Sequence, residues 1–194
     1  KTILKHNKIY DVSKNDLPLQ MQVSTLAYDE YIGRLGIGRV FQGRIKANQE
    51  VSYCRADGKI VTTRIGKIFQ YIGIKRVEVK EIGAGDIAVI TKVDALDTNE
   101  TVADASVNDA YAPVKFPQPV VFFGVRVDNK NDEPKVSEGL KRASVEDLTI
   151  NVERVPETKQ LLVGCQGGTH IDTILNKIKA TYRCQAVTED AKVP

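Results

Sequence analysis

Three cysteines in 194 residues, Cys54, Cys165 and Cys184, are few, odd in number and far apart, and no Cys-x-x-Cys occurs. That pattern speaks against a disulfide framework and a zinc ribbon, and it fits reduced cytosolic thiols. Long apolar runs are missing as well. None approaches the roughly 18 residues a membrane-spanning helix needs, and the first residues do not read as a signal peptide. The net charge is small, +3, which allows contact with RNA without demanding it. A Gly-x-x-x-x-Gly-Lys-Ser/Thr phosphate loop is absent, and so is Asp-x-x-Gly. A nucleoside triphosphate site needs backbone amides, a lysine and a magnesium-holding hydroxyl at that spacing. The chain by itself is therefore expected to be no enzyme and to hold no cofactor.

The composition is that of a globular protein, 42% hydrophobic and 27% charged, long enough for one large domain or two small ones. Lys1–Asp16 is basic and polar around Ile3-Leu4 and reads as a linker. From Leu17 the chain turns to short β-rich runs: Gln20 to Leu26, Tyr31 to Val40, Val51 to Cys54, Lys59 to Ile68 and Ile87 to Thr91. Asp57-Gly58 between two such runs is a strong hairpin signal, because both turn positions favour positive φ. Glycines inside the runs mark bulges and corners, which an antiparallel barrel requires.

Three prolines, Pro113, Pro117 and Pro119, cannot continue a sheet interior and set a domain boundary. The barrel is thus expected over residues 17–113 and a second domain over 119–194. Beyond the boundary the period changes. Val120 to Val127 reads as a strand. Pro134 to Asp147 reads as a helix with proline near its start. Thr149 to Val155 and Gln160 to Val163 read as strands, with a turn at Glu157-Thr158-Lys159. Ile171, Ile174, Leu175 and Ile178 have the i, i+3, i+4, i+7 spacing of an amphipathic helix, and Gln185 to Val187 closes the series. The order β-α-β-β-α-β is the ferredoxin-like split βαβ sandwich. The fold class is therefore a β plus α/β pair, an antiparallel β-barrel followed by that sandwich.

Several residue groups carry competing readings. Gly33-x-x-Gly36-x-Gly38 resembles a dinucleotide fingerprint, but no helix follows it, so a barrel corner explains it better. Arg34, Arg39, Arg44, Lys46, Lys75 and Arg76 read either as solvated surface or as phosphate contacts. Tyr31 and Tyr71 read as packing residues or as platforms for bases. His170 at a helix start reads as a capping or packing residue; a nucleophilic pair with Cys165 is the weaker alternative. Asp128, Asp132 and Glu133, with Asn129 and Asn131, lack the glycine and distal glutamate of a calcium loop and read as a solvated turn.

The run Gly167, Thr169, His170, Ile171 and Asp172 resembles the Gly-x-Gly-acidic-x-His-apolar-acidic turn of the third domain of the elongation factor G family of translational GTPases. Cys165 stands where that family has a glycine and Gly168 where it has an acidic residue. The barrel half resembles domain II of translational GTPases, particularly the TypA/BipA branch, through Pro18 to Ser24, Tyr31 to Val40, Gly43-x-Ile45-Lys46-x-x-Gln49-x-Val51 and Ala84 to Ala88. The resemblance implies the middle domains of a cytoplasmic, ribosome-binding elongation factor, with no membrane contact. It implies a barrel lying against ribosomal RNA of the small subunit through Arg34, Arg39, Lys75 and Arg76. It also implies a domain III turn at Gly167, His170 and Asp172 that relays GTP-dependent change during translocation. GTP and magnesium would sit in an upstream GTPase domain joined through Lys1–Asp16, with further domains downstream. A TypA/BipA-type ribosome-associated factor, a free-standing RNA-binding module and an unrecognised small enzyme are the alternatives.

Overall fold

The computed structural model describes residues 12–29, 31–55, 57–107, 109–158 and 160–191. Most of the expected linker, Lys1–Asp11, lies outside them, as do Lys159 of the expected turn and the last three residues. The chain divides into two compact units, residues 1–114 and 115–194.

The first unit is built on an eight-stranded sheet. In chain order its elements are β1 (Gln20–Asp29), β2 (Gly33–Gln42), β3 (Arg44–Lys46), β4 (Glu50–Cys54), β5 (Ile60–Arg64), β6 (Ile68–Ile72), β7 (Lys75–Val79), β8 (Glu81–Gly83), β9 (Ile87–Thr91) and β10 (Thr101–Ala103). The sheet order is β5-β4-β10-β1-β2-β9-β6-β7, with β3 and β8 as a separate ribbon, and every one of these pairings is antiparallel. Alternation decides what is inside. Met21, Val23, Val40, Val51, Tyr53, Ile68, Ile90 and Val102 are almost fully buried, as half-buried strands require. Between Val23 and Thr25 the β1–β2 register shifts. Gly38 is needed beside that bulge: a Cβ there would stand 2.1 Å from the Gln22 carbonyl oxygen.

Several expectations shift in detail. The run read as one strand from Lys59 to Ile68 is two, β5 and β6, separated at residues 65–67. The Asp57-Gly58 hairpin forms, but the turn spans Arg55 to Gly58, closed by Gly58 N–H donating to Arg55 O at 3.0 Å. Gly58 has φ +80° and the flanking strands close at Cys54–Ile60, so this is a longer loop than the two-residue turn expected from the dipeptide. Val12–Asp16 is a short 3-10 helix attached to the barrel: Gly43 N–H donates to Lys14 O at 2.8 Å, and Asn15 Oδ1 accepts from Ala84 N–H at 2.8 Å. The proline-rich connector is likewise fastened to this unit over its first half. Gln22 Nε2 donates to Ala112 O, Tyr111 N–H to Thr101 Oγ1, and Asn99 exchanges two 3.0 Å bonds with the backbone of Val114.

The second unit has a four-stranded sheet, β11 (Val121–Val127), β12 (Asn151–Arg154), β13 (Leu161–Cys165) and β14 (Ala186–Glu189), ordered β12-β13-β11-β14 and antiparallel throughout. Helices α1 (Glu133–Glu146) and α2 (Gly168–Tyr182) follow β11 and β13, the β-α-β-β-α-β order read from the sequence. Pro134 sits in the first turn of α1, where its missing N–H costs nothing. The periodic residues Ile171, Ile174 and Ile178 of α2 pack with Val136 and Leu140 of α1 and with Val125, Val163, Cys165 and Cys184 into one core. All three thiols of the chain are buried and unbridged. Among the described residues no helix is long and apolar enough to cross a membrane.

Candidate functional site

The four cations expected to meet RNA are not equivalent. Arg34, on β2, reaches over the β9–β10 loop: Nη1 donates to Asp94 O at 2.9 Å and Nη2 to Asp97 Oδ1 at 2.8 Å. Arg55 grips the same loop through Ala95 O and a 2.7 Å contact with Glu100. Burial pushes the Glu100 carboxyl up, against the pull of the Asp97 N–H and the Arg55 charge. Burial, with the negative charges of Glu100 and Asp94, raises the neighbouring Tyr53 phenol to about 12. Arg34 is therefore a loop staple. Arg76, on β7, is also committed. It pairs with Asp29 and lies 5.2 Å over the Phe69 ring. The Arg76 hydrogen bond, followed by the N–H groups of Tyr31 and Ile32, holds the Asp29 carboxyl below its usual range.

Arg39 and Lys75 are exposed. Arg39 stands at the far end of β2 from Arg34, five residues and about 17 Å away along the strand. Its guanidinium lies 5.6 Å over Phe41. The structure thus brings Arg76 next to Lys75 and Asp29 but does not gather all four cations into one patch. Arg44 pairs with Glu81 at 2.7 Å and Lys46 approaches the same carboxylate at 3.6 Å.

In the second unit, the turn from β13 into α2 is built around Gly167, with φ 157° and ψ 177°, a region that only glycine enters readily. His170 Nδ1 accepts from Gln166 N–H at 3.3 Å, and its Nε2 lies 3.4 Å from Asp147 Oδ2. Asp147, just past α1, also accepts from Thr149 N–H and Oγ1 at 2.8 and 2.6 Å. Partial burial pushes its carboxyl up, but the Thr149 hydrogen bonds and the His170 side chain outweigh burial and leave it below the usual range. His170 therefore latches the start of α2 to the end of α1. Cys165 is fully buried with Sγ on Gly167 O, while the histidine nitrogens are turned to Gln166 and Asp147, so they form no nucleophile–base pair. Asp172 is exposed on α2.

The acidic loop resolves into helix-start chemistry. Asn129 Oδ1 accepts from Asn131 N–H, Asp132 pairs with Lys135, Asp128 with Arg126 and Glu133 with Arg154. Asn129-Lys130-Asn131-Asp132 does spell Asn-Lys-x-Asp, a string found in nucleotide-binding proteins. Here the Asn129 and Asp132 side chains are spent on the turn before α1, on Asn131 N–H and Lys135. A cleft of about 300 Å³ beside them is lined by Arg126, Lys130, Arg154, Glu133 and Glu189, with Arg154 paired to Glu133 and Arg126 near Glu189. Among the described residues no group of His, Cys, Asp and Glu is placed to hold a metal ion.

What sequence reading missed is the pair of hairpin turns tied by Arg76 and Asp29. Tyr31 and Ile74 are 95% and 98% exposed there. The local signal was Ile72-Gly73-Ile74, a glycine flanked by aliphatics at a turn.

Comparison with known proteins follows the same division. Residues 33–103 match the family model for elongation factor Tu domain 2, and residues 116–190 the model for elongation factor G, domain III. The large ribosomal subunit assembly factor BipA of Bacillus subtilis (strain 168) is 30% identical over 187 residues, covering 92% of this chain and 30% of that protein. The BipA of Haemophilus influenzae is 31% identical over 173 residues, 84% of this chain and 28% of the relative. The chain thus spans less than a third of the length of these relatives. A crystal structure of a Thermus thermophilus protein shares the fold, with a TM-score of 0.78 and 23% identity, over 100% of this chain and 29% of that one.

Proposed function

Because the chain joins an elongation factor Tu domain 2 to an elongation factor G domain III, and so belongs to the elongation factor G and BipA group of translational GTPases, we propose that it forms the ribosome-docking middle part of a BipA-like factor acting on the large ribosomal subunit. The observation that carries this reading is identity of about 30% to the BipA proteins running through both domains. It favours the BipA branch over translocation of the elongation factor G kind.

In this reading the barrel contacts ribosomal RNA through exposed Arg39 and Lys75, whose charges add sequence-independent affinity for phosphate. Arg34 and Arg76 hold the barrel ends in shape for that contact. The sandwich relays rearrangement: the Gly167 turn and the His170–Asp147 latch fix the start of α2 against α1, giving a small element that an adjoining domain can shift. GTP and magnesium belong to a GTPase domain of the whole protein, and the factor works in the cytoplasm. The test is co-sedimentation of the chain with purified large and small ribosomal subunits at low salt. Saturable pelleting with the large subunit is expected. No pelleting above background with either subunit refutes the reading.

A further inference from the structure

Two turns of the barrel expose more apolar surface than any contact in the unit explains. Asp29 builds the first: its Oδ1 accepts the N–H groups of Tyr31 and Ile32, each at 3.0 Å. Its other oxygen takes Arg76 of the β6–β7 hairpin. That ion pair lies two residues from Tyr31 on one side and two residues from Ile74 on the other, so it ties the two turns together. Tyr31 is 95% exposed, Ile74 98%, Ile72 63% and Tyr71 45%. Large apolar side chains left this exposed on two turns that an ion pair holds together mark a place where a partner binds.

We propose that these tied turns form a prong whose apolar tip inserts into an apolar patch of a ribosomal protein, with Lys75 at its rim left to the RNA contact assigned to it above. The proposal rests on the ribosome-docking reading above and names the partner at this end of the barrel. Charge selects protein over RNA. A surface that docks on phosphates carries cations in excess, but here Arg76 is neutralised by Asp29 and Arg34 by Asp97. Lys75 remains an exposed cation at the rim. The side chains standing clearest of the fold include two isoleucines, which have no ring to stack on a base. Such aliphatic and tyrosine anchors fit a desolvated pocket at the centre of a protein interface.

The experiment places a benzophenone amino acid at position 31 or 74 of the full chain, irradiates it with intact ribosomes, and digests with ribonuclease or protease. Ribonuclease-resistant adducts to protein from both positions are expected. In parallel, a Tyr31→Ser, Ile72→Ser, Ile74→Ser variant should bind ribosomes at least about tenfold more weakly, with an unchanged salt slope and an unchanged melting temperature. Adducts to ribosomal RNA overturn the proposal, as does a triple variant that binds like the unsubstituted chain. In both cases the docking reading survives. If the unsubstituted chain neither pellets nor cross-links with ribosomes, the docking reading and this inference fall together.

Discussion

Exposure predicts that Arg39 and Lys75 carry the salt dependence of RNA binding and that Arg34 and Arg76 do not. Each cation–phosphate pairing removed should flatten the dependence of log K on log salt by about 0.7 to 0.9. The Arg39→Ala, Lys75→Ala double variant should therefore have a slope shallower by about 1.4 to 1.8 units. Between 50 and 200 mM salt, a fourfold change, that is a factor of roughly 4 to the power 1.6, so affinity should fall about ninefold less than in the unsubstituted chain. Arg34→Ala and Arg76→Ala should leave the slope nearly unchanged. Each unties a barrel contact instead, the first the Asp94 and Asp97 loop, the second the Asp29 turn. The assay is filter binding or sedimentation with ribosomal RNA over a salt series, with a melting curve for each variant. A slope change as large for the Arg34 and Arg76 variants as for the exposed pair would show that those ion pairs open on binding, and the reasoning from exposure would be wrong.

Gly38→Ala must push the Gln22 backbone aside and should destabilise the barrel by about 2 kcal/mol or more, whereas Gly168→Ala, with open space at its Cβ, should leave the sandwich within about 1 kcal/mol; thermal unfolding compares the two. Leu140→Ala, at a fully buried site of the second core, should cost about 2–5 kcal/mol, read as a lowered urea midpoint of the sandwich transition alone. Since the folded Asp147 carboxyl lies below its ordinary 3.8, its bonds to Thr149 and His170 stabilise the fold above that value and fade as pH falls through the lower folded one. Asp147→Asn should abolish that component, and urea midpoints that vary identically with pH in both proteins below about pH 4 would count against the latch. Trypsin is expected to cut first after Lys115, just past the residues fastened to the barrel; a first cut within a strand or helix of either unit would contradict the division into two domains.

Periodicity made the sandwich legible. The spacing of Ile171, Ile174 and Ile178 predicted α2, and Pro134 marked the start of α1 to within a residue, because both signals are local. The barrel was legible as a class but blurred in its middle. Ile65, buried between β5 and β6, keeps the apolar pattern running through a break, and β7 escaped notice because Lys75 and Arg76 open it with charge and Glu78 interrupts its apolar residues. The roles of the cations were not legible at all. Arg34 finds Asp97 across 63 positions and Arg76 finds Asp29 across 47, and nothing near either arginine announces the partner. Alternation says which residues face out, but only the folded sheet says which outward charges already have a neighbour. The same distance hid the latch: His170 was visible at a helix start, while Asp147 lies on the other side of two strands in sequence.

The burial of all three thiols has a practical side. Burial raises the Cys54 thiol above its ordinary range, and Cys165 and Cys184 are closed into the sandwich core, so in the folded protein none is within reach of an alkylating dye. A cysteine introduced at Ile74 would be the one fast-reacting sulfur in an otherwise unaltered chain. A fluorophore could be carried there to follow the arrival and departure of a partner in real time, without first stripping the native cysteines and disturbing two cores.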